Sequence, residues 1–419
     1  MTTTKRKLFG LMMGTALACG LAAPAHVAAQ DAKAPTEVTV WLLSWWEQDR
    51  ERIMKEFAEA NPGYTAKIEL MPINKYTENV ATAVMGGNPP DVVTLDILFI
   101  PTLASRNLLM PLDDFMGKNG LSADLYTKSV YDAGVIDGKT YAIPYRICPA
   151  SLFYNKTMFD AAGVPYPKDD MGFDEFLEIS RKLTVPGKQY GYGIAAAKSD
   201  PANVMSSFSP VLFGMGGDIL NEDMTKAVLD TPEAIAAIKW WTELYTKHKV
   251  VPEGTINYSN TRDLTPMAMN QQVAMIYMAD AALKQVQPYA DQNKFEWGYT
   301  KLPGLPRACG WSASIPSTTK NVEGAEAFIK WFTDADVVGA QSLETPGVLA
   351  AQKKGIWAEP FWQDYYKVAE ATKPIPVTPH WTAIQTVIID ELHNVLLQTS
   401  TPEEAGKSMT EKVDEILQQ

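Results

Sequence analysis

Histidine and cysteine are scarce in this chain, four of the first and three of the second in 419 residues. Past the first thirty residues only His248, His380 and His393 remain, scattered and without metal-ligand spacing. No His-Glu-x-x-His, Cys-x-x-Cys or Gly-x-Ser-x-Gly run occurs, so the common sequence signatures of zinc hydrolases, dithiol redox centres and serine hydrolases are missing. "GYGIAA", residues 191–196, matches a lone dinucleotide fingerprint but lacks a convincing preceding strand. We therefore expect no catalytic residue, no metal and no cofactor. Carboxylates are plentiful, which leaves a paired-carboxylate glycosidase open by composition, but no pair stands apart from the solvated charge of helix faces. A basic surface is also lacking. The net charge is −12, which argues against nucleic-acid or membrane-surface binding. There is no solenoid-period repeat, low-complexity tract or flexible linker. After the N-terminus, no apolar run is long enough to span a bilayer.

The N-terminus has the apolar run that the rest lacks. Lys5, Arg6 and Lys7 precede "LFGLMMGTALACGLAA", and "VAA" ends at Ala29. This is the pattern of a secretory signal peptide over residues 1–29, and it places the mature chain in the periplasm. A lipid anchor at Cys19 fits less well. Ala16 stands where leucine is usual, and the following "LAAPAHVAA" is apolar rather than a polar tether. Cleavage leaves Cys148 and Cys309 in an oxidising compartment. A disulfide and two buried free thiols both fit, and sequence separation favours neither.

The mature chain is too long for one ordinary core, so two domains are expected. "EVTVWLL", "TAKIEL" and "DVVTLD" read as strands, separated by the helical patterns "QDRERIMKEFAEAN" and "NKYTENVATAVMGG". Strand-helix-strand-helix-strand is the grammar of an open parallel α/β sheet, whose ligands sit beyond the carboxyl ends of the strands. Trp45 and Trp46 end the first strand and Asp96 ends the third. Trp311 in "ACGWSASIP" and Trp381 in "PHWTAIQ" likewise lie at element ends rather than in apolar helical stripes. Tryptophans on separate loops point jointly to a cleft, and sugars suit it: their C–H faces stack on indole while their hydroxyls need carboxylates and amides. Trp240 and Trp241 lie within a helical pattern with Ile235, Ile238 and Leu244, and read as packing.

The order and spacing of "IMKEFAEANPGY", "GGNPPDVVTLD", "GKTYAIPY", "LFYNKTMFDAAGV" and "GWSASIPSTTKNVEGAEAFIKWF" resemble the extracellular solute-binding proteins of ABC importers, in the carbohydrate family that includes maltose-binding protein. The resemblance runs nearly the whole mature chain. It implies a two-lobed type II periplasmic-binding-protein fold, α/β in each lobe, with three hinge crossings and a ligand cleft between the lobes. On that map "YAIPYRICPAS", "PRACGWSAS" and "TPGVLAAQ" near Leu349 are the crossings. Lobe I is 30–146 with 311–348, and lobe II is 147–310 with 349–419. The implied function is capture of a sugar and its delivery to membrane permease subunits by a monomer. The alternatives are a polyol or glycerol phosphodiester ligand and, from another class, a secreted glycoside-active enzyme.

The implied ligand positions are the loop Trp45, Trp46 and Glu47, then Asp96, a glycine-rich turn near Phe208 to Gly217, Ala279 with Asp280, the run Gly310, Trp311 and Ser312, and Trp381. Arg146 is the obvious basic residue at the cleft. Asp280 in "YMADAA" stands where many sugar-binding relatives carry a stacking ring, which favours a smaller sugar or a polyol. Cys148 and Cys309 flank the first and second crossings, which run side by side in this family, so the resemblance makes a disulfide between them possible without deciding it.

Overall fold

A computed structural model of the chain describes residues 34–72, 75–340, 344–376 and 378–418. The expected leader, residues 1–29, lies outside the described residues. Among the described residues eleven strands occur: β1 (Thr36–Leu43), β2 (Tyr64–Met71), β3 (Val92–Asp96), β4 (Val135–Ile136), β5 (Lys139–Thr140), β6 (Ile143–Ile147), β7 (Ser151–Asn155), β8 (Tyr190–Gly193), β9 (Val273–Met278), β10 (Trp297–Lys301) and β11 (Gly310–Ser314). They build a five-stranded sheet of order β2-β1-β3-β11-β6, a four-stranded sheet of order β10-β7-β9-β8, and the small β4-β5 ribbon.

In the first sheet β1 pairs in parallel with both β2 and β3. Alternation sets the faces of β1, where Val38, Val40 and Leu42 are fully buried. β3 is buried at all five positions, as a strand covered on both faces must be. The helix Arg50–Ala60 buries Ile53 and Phe57, and Phe57 meets Phe328 of the helix Val322–Phe332 with ring centroids 5.1 Å apart. Each such buried aromatic or aliphatic side chain contributes about 1.5–3 kcal/mol by leaving water. β11 enters this sheet from far along the chain and runs antiparallel to β3 and β6.

The second sheet supports the helices Phe173–Leu183, Pro201–Gly214, Pro232–Thr246, Trp381–Leu396 and Pro402–Leu417. Their ends follow local rules. Thr231 accepts from the Ala234 N–H at 3.3 Å, and Thr401 with Glu404 forms a reciprocal capping box. Trp240 and Trp241 pack as the sequence suggests. Trp241 is buried, and Trp240 stands 5.0 Å from the Phe173 ring. The first half of "GYGIAA" lies in β8, and Gly191 is needed because a Cβ there would meet the Ser180 carbonyl at 2.0 Å.

The chain passes between the sheets at residues 148–150 and 302–309. Cys148 and Cys309 form a disulfide beside these two passages, and the Cys148 N–H donates to the Cys309 carbonyl at 2.9 Å. The chain does not leave the first layer at Leu349, where the resemblance puts the third crossing. The Leu349 N–H donates to the Leu125 carbonyl, and the Trp357 indole donates to the Gly339 carbonyl, both at 2.9 Å. The helix Pro360–Glu370 then touches both layers. Tyr365 donates to the Pro149 carbonyl, and Tyr299 of β10 donates to the Phe361 carbonyl. The third passage is therefore later than Leu349, because a buried tryptophan holds residues 349–358 against the first lobe.

Candidate functional site

The site is built where β3 and β6 end and the antiparallel β11 begins. Trp311 is the register partner of Asp96 on β3 and of Arg146 on β6. Ahead of them, β1 ends in a 3-10 turn, Ser44–Gln48. That turn separates the adjacent tryptophans. Trp46 is buried against Tyr145 and Phe332, at centroid distances of 6.2 and 5.6 Å. Trp45 is half-buried and meets Trp311 edge-to-face, 5.3 Å between centroids and 87° between planes.

Glu344 closes this cluster. Its Oε1 accepts from the Trp45 indole at 2.8 Å and from Arg146 Nη1 at 3.1 Å. The Arg146 guanidinium carbon lies 5.9 Å from the Trp45 ring centre. Glu344 and Arg146 are both buried. A buried ion pair of this kind persists only with hydrogen bonds on both partners.

Asp96 faces a second buried cation. Burial pushes its carboxyl up from the usual 3.8, and Arg307, the Leu98 N–H and Arg146 each oppose that rise. The Leu98 N–H donates to Asp96 Oδ1 at 3.0 Å. Arg307, on the second passage, donates to Ser206 Oγ at 3.0 Å and to the Ala308 carbonyl at 3.1 Å. Ser206 belongs to a helix of the second layer, so a guanidinium anchored to that layer places its charge where it acts on Asp96 of the first. Contact continues beside it. Leu98 packs into the second core, and Thr102 donates to the Pro379 carbonyl at 3.1 Å.

Of the expected positions, the structure brings together Trp45, Asp96, Arg146 and Trp311. It places the others differently. Trp46 serves the first core. Glu47 is exposed and pairs with Arg50 at 3.2 Å. Phe208 is not on a turn. The Ser/Pro-rich run folds as the helix Pro201–Gly214, opened by a proline in its first turn, and Phe208 is buried against Trp241. Only the stretch from Met215 to Gly217 turns. A Cβ on Gly310 would meet Val130 at 2.6 Å. Ser312, two residues on, shares that helix-covered face rather than the face of Trp311. Trp381 is buried in the second core beside the layer contact, and its indole N–H has no acceptor among the described residues. Asp280 opens the helix Asp280–Asn293, but its side chain lies outside the described residues. Sequence reasoning missed Glu344 and Arg307. Arg307 sits in the second passage and Glu344 in an irregular stretch after the helix Ala335–Ala340; the local pattern of both is uninformative, and only their position beside the strand ends reveals them. Among the described residues no group of three or more His, Cys, Asp or Glu side chains is placed to hold a metal.

Residues 46–339 match the profile of the family described as Bacterial extracellular solute-binding protein. The chain belongs to that family. Among its curated relatives is a putative binding protein of Brucella abortus, 24% identical over 384 residues, covering 88% of this chain and 89% of the relative. Another is an arabinooligosaccharide-binding protein of Halalkalibacterium halodurans, 22% identical, covering 94% and 92%. Among solved structures, an ABC transporter solute-binding protein of Thermotoga lettingae with bound alpha-D-tagatose superposes with a TM-score of 0.80. It is 25% identical, with 91% of this chain and all of that chain covered. A maltose-bound T. maritima protein gives a TM-score of 0.79 at 23% identity, covering 90% and 99%. The two-lobed α/β architecture with a sheet in each lobe is thus that of solute-binding proteins of ABC importers.

Proposed function

We propose that this solute-binding protein captures a sugar between its lobes and delivers it, without turnover, to the permease subunits of an ABC importer. One observation carries the reading. Two indoles set at right angles, Trp45 and Trp311, stand among buried Asp96, Arg146 and Glu344 where the lobes meet. Indole faces take sugar C–H surfaces, and buried charged groups hold hydroxyls through the stronger class of hydrogen bond. The names of relatives support it, since one binds arabinooligosaccharide and another, in Streptomyces coelicolor, diacetylchitobiose. On this reading the leader directs export to the periplasm, and the protein works as a monomer.

A second reading rests on Arg307. A buried guanidinium at the cleft suits a phosphodiester, and a structurally similar protein of Mycobacterium tuberculosis, 19% identical with a TM-score of 0.78, carries glycerophosphocholine. One experiment separates these readings: a thermal-shift panel of D-tagatose, maltose, maltotriose, diacetylchitobiose, arabinooligosaccharides, sorbitol and glycerophosphocholine, with product analysis of each mixture. A ligand at a hundred times its Kd adds about 2.7 kcal/mol of stability. A shift with an unchanged sugar supports the first reading. A shift with glycerophosphocholine alone supports the second, and release of cleaved sugar overturns both.

A further inference from the structure

Trp45 is held differently from its neighbour Trp46. The core fixes Trp46 on several sides, whereas Trp45 is half-buried on a five-residue 3-10 turn. A half-exposed indole on a short turn has several rotamers open to it, and a stacking wall works only when its plane is set beforehand. The Trp311 ring meets Trp45 edge-to-face, with 5.3 Å between centroids. The Arg146 guanidinium lies over the Trp45 ring and part of that ring packs on the first core, but the directional constraint on the indole plane is the 2.8 Å hydrogen bond from its N–H to Glu344 Oε1, across 299 residues of sequence.

Glu344 is well placed for this. The residues after it lie against β6: the Ile147 N–H donates to the Thr345 carbonyl at 2.9 Å, and the Gly347 N–H donates to the Tyr145 carbonyl at 2.8 Å. Arg146 forms an isolated bridge with Pro346 between these bonds. The backbone beside Glu344 is thereby fixed to the strand that carries Arg146. The oxygen that receives the indole also receives the guanidinium, so the carboxylate is itself aimed. A charged acceptor makes the stronger, shorter type of hydrogen bond.

We infer that Glu344 is the positioning residue of the binding site, fixing the Trp45 indole at right angles to Trp311 so that one wall of the cleft stands ready before ligand arrives. This rests on the sugar-binding reading for its consequence, but its geometry is testable without any ligand. Glu344→Gln keeps an acceptor oxygen at the same reach, whereas Glu344→Leu keeps bulk and removes the acceptor.

The test uses the mature protein with nitrogen-15-labelled tryptophan, and Trp45→Phe assigns the Trp45 indole resonance. In the ligand-free protein the Trp45 indole proton should exchange with solvent at least about tenfold more slowly than a free exposed indole, since a hydrogen bond must open first. Glu344→Gln should retain the resonance and most of that protection, and Glu344→Leu should lose the protection and shift the signal. Where maltose or D-tagatose binds the wild type, Glu344→Leu should weaken that sugar about tenfold or more and Glu344→Gln about threefold or less. Fast exchange of the wild-type Trp45 proton overturns the inference even if Glu344→Leu fails to fold. So does an unchanged resonance in Glu344→Leu. If no sugar of the panel binds but the exchange results hold, the sugar reading fails and the positioning role stands.

Discussion

Trp311 and Asp96 are direct partners across the antiparallel β3–β11 pair. An indole ring and a hydrogen-bonding carboxylate are thus carried by neighbouring strands of one sheet, not by independent loops. Loss of the Trp311 ring should therefore affect both binding and fold. Trp311→Ala should weaken sugar binding by about 2–4 kcal/mol, as truncation of a buried aromatic anchor does. Because the ring is 5% exposed, the same change should lower stability by about 3–5 kcal/mol. Calorimetric binding at a temperature where the variant is folded separates the two effects.

Trp381→Ala should behave as a core truncation first. Its ring lies within the second core, so a loss of about 3–5 kcal/mol is expected in urea unfolding. An unchanged midpoint would place the ring outside the core.

Asp96→Asn should separate charge from shape. Burial holds the Asp96 carboxyl above its usual 3.8, so the folded state binds this proton more tightly than the unfolded chain does. The stability it contributes is complete below the unfolded pKa and is lost as pH rises through the folded one. Asparagine can keep the bond from the Leu98 N–H without that penalty. The variant should gain melting temperature over wild type as pH rises from acid toward neutral, while affinity for the sugar falls by about tenfold or more. A pH-independent difference in melting temperature would contradict the assignment.

Denatured, non-reduced mature protein should show no free thiol, because Cys148 and Cys309 are joined over a sequence separation of 161 residues. Replacing both by serine should lower stability by about 2–5 kcal/mol, chiefly by freeing the unfolded chain. Thiol titration and paired denaturation curves check both parts.

Gly310→Ala should destabilise by about 1–3 kcal/mol, because the added methyl would lie 2.6 Å from Val130 and 2.8 Å from the Arg146 carbonyl. Sugar affinity of the folded fraction should follow the displacement of Trp311 next to it.

Much of this was legible in local pattern. The β1-helix-β2-helix-β3 run, the parallel pairing and the Thr231 and Thr401 helix starts follow from periodicity and capping chemistry. The packing of Trp240 and Trp241 followed from helical spacing. The division between Trp45 and Trp46 did not, since it depends on a short 3-10 turn that period-two reasoning does not anticipate. Phe208 was misplaced because the resemblance puts a glycine-rich turn from Phe208 to Gly217, while here the helix Pro201–Gly214 runs through it and buries it against Trp241. Glu344 and Arg307 gave no signal, because their roles come from strands that meet only in three dimensions.

The strand order of the first sheet has a consequence for synthesis. β11, made from residues 310–314, lies between β3 and β6, although both of those strands leave the ribosome far earlier. Until β11 arrives, β3 and β6 each present an unpaired edge, the kind of surface that invites pairing with another chain. The N-terminal lobe therefore cannot close its sheet before most of the C-terminal lobe has been made. A chain halted before Gly310 should be a substrate for chaperones rather than a folded half-protein.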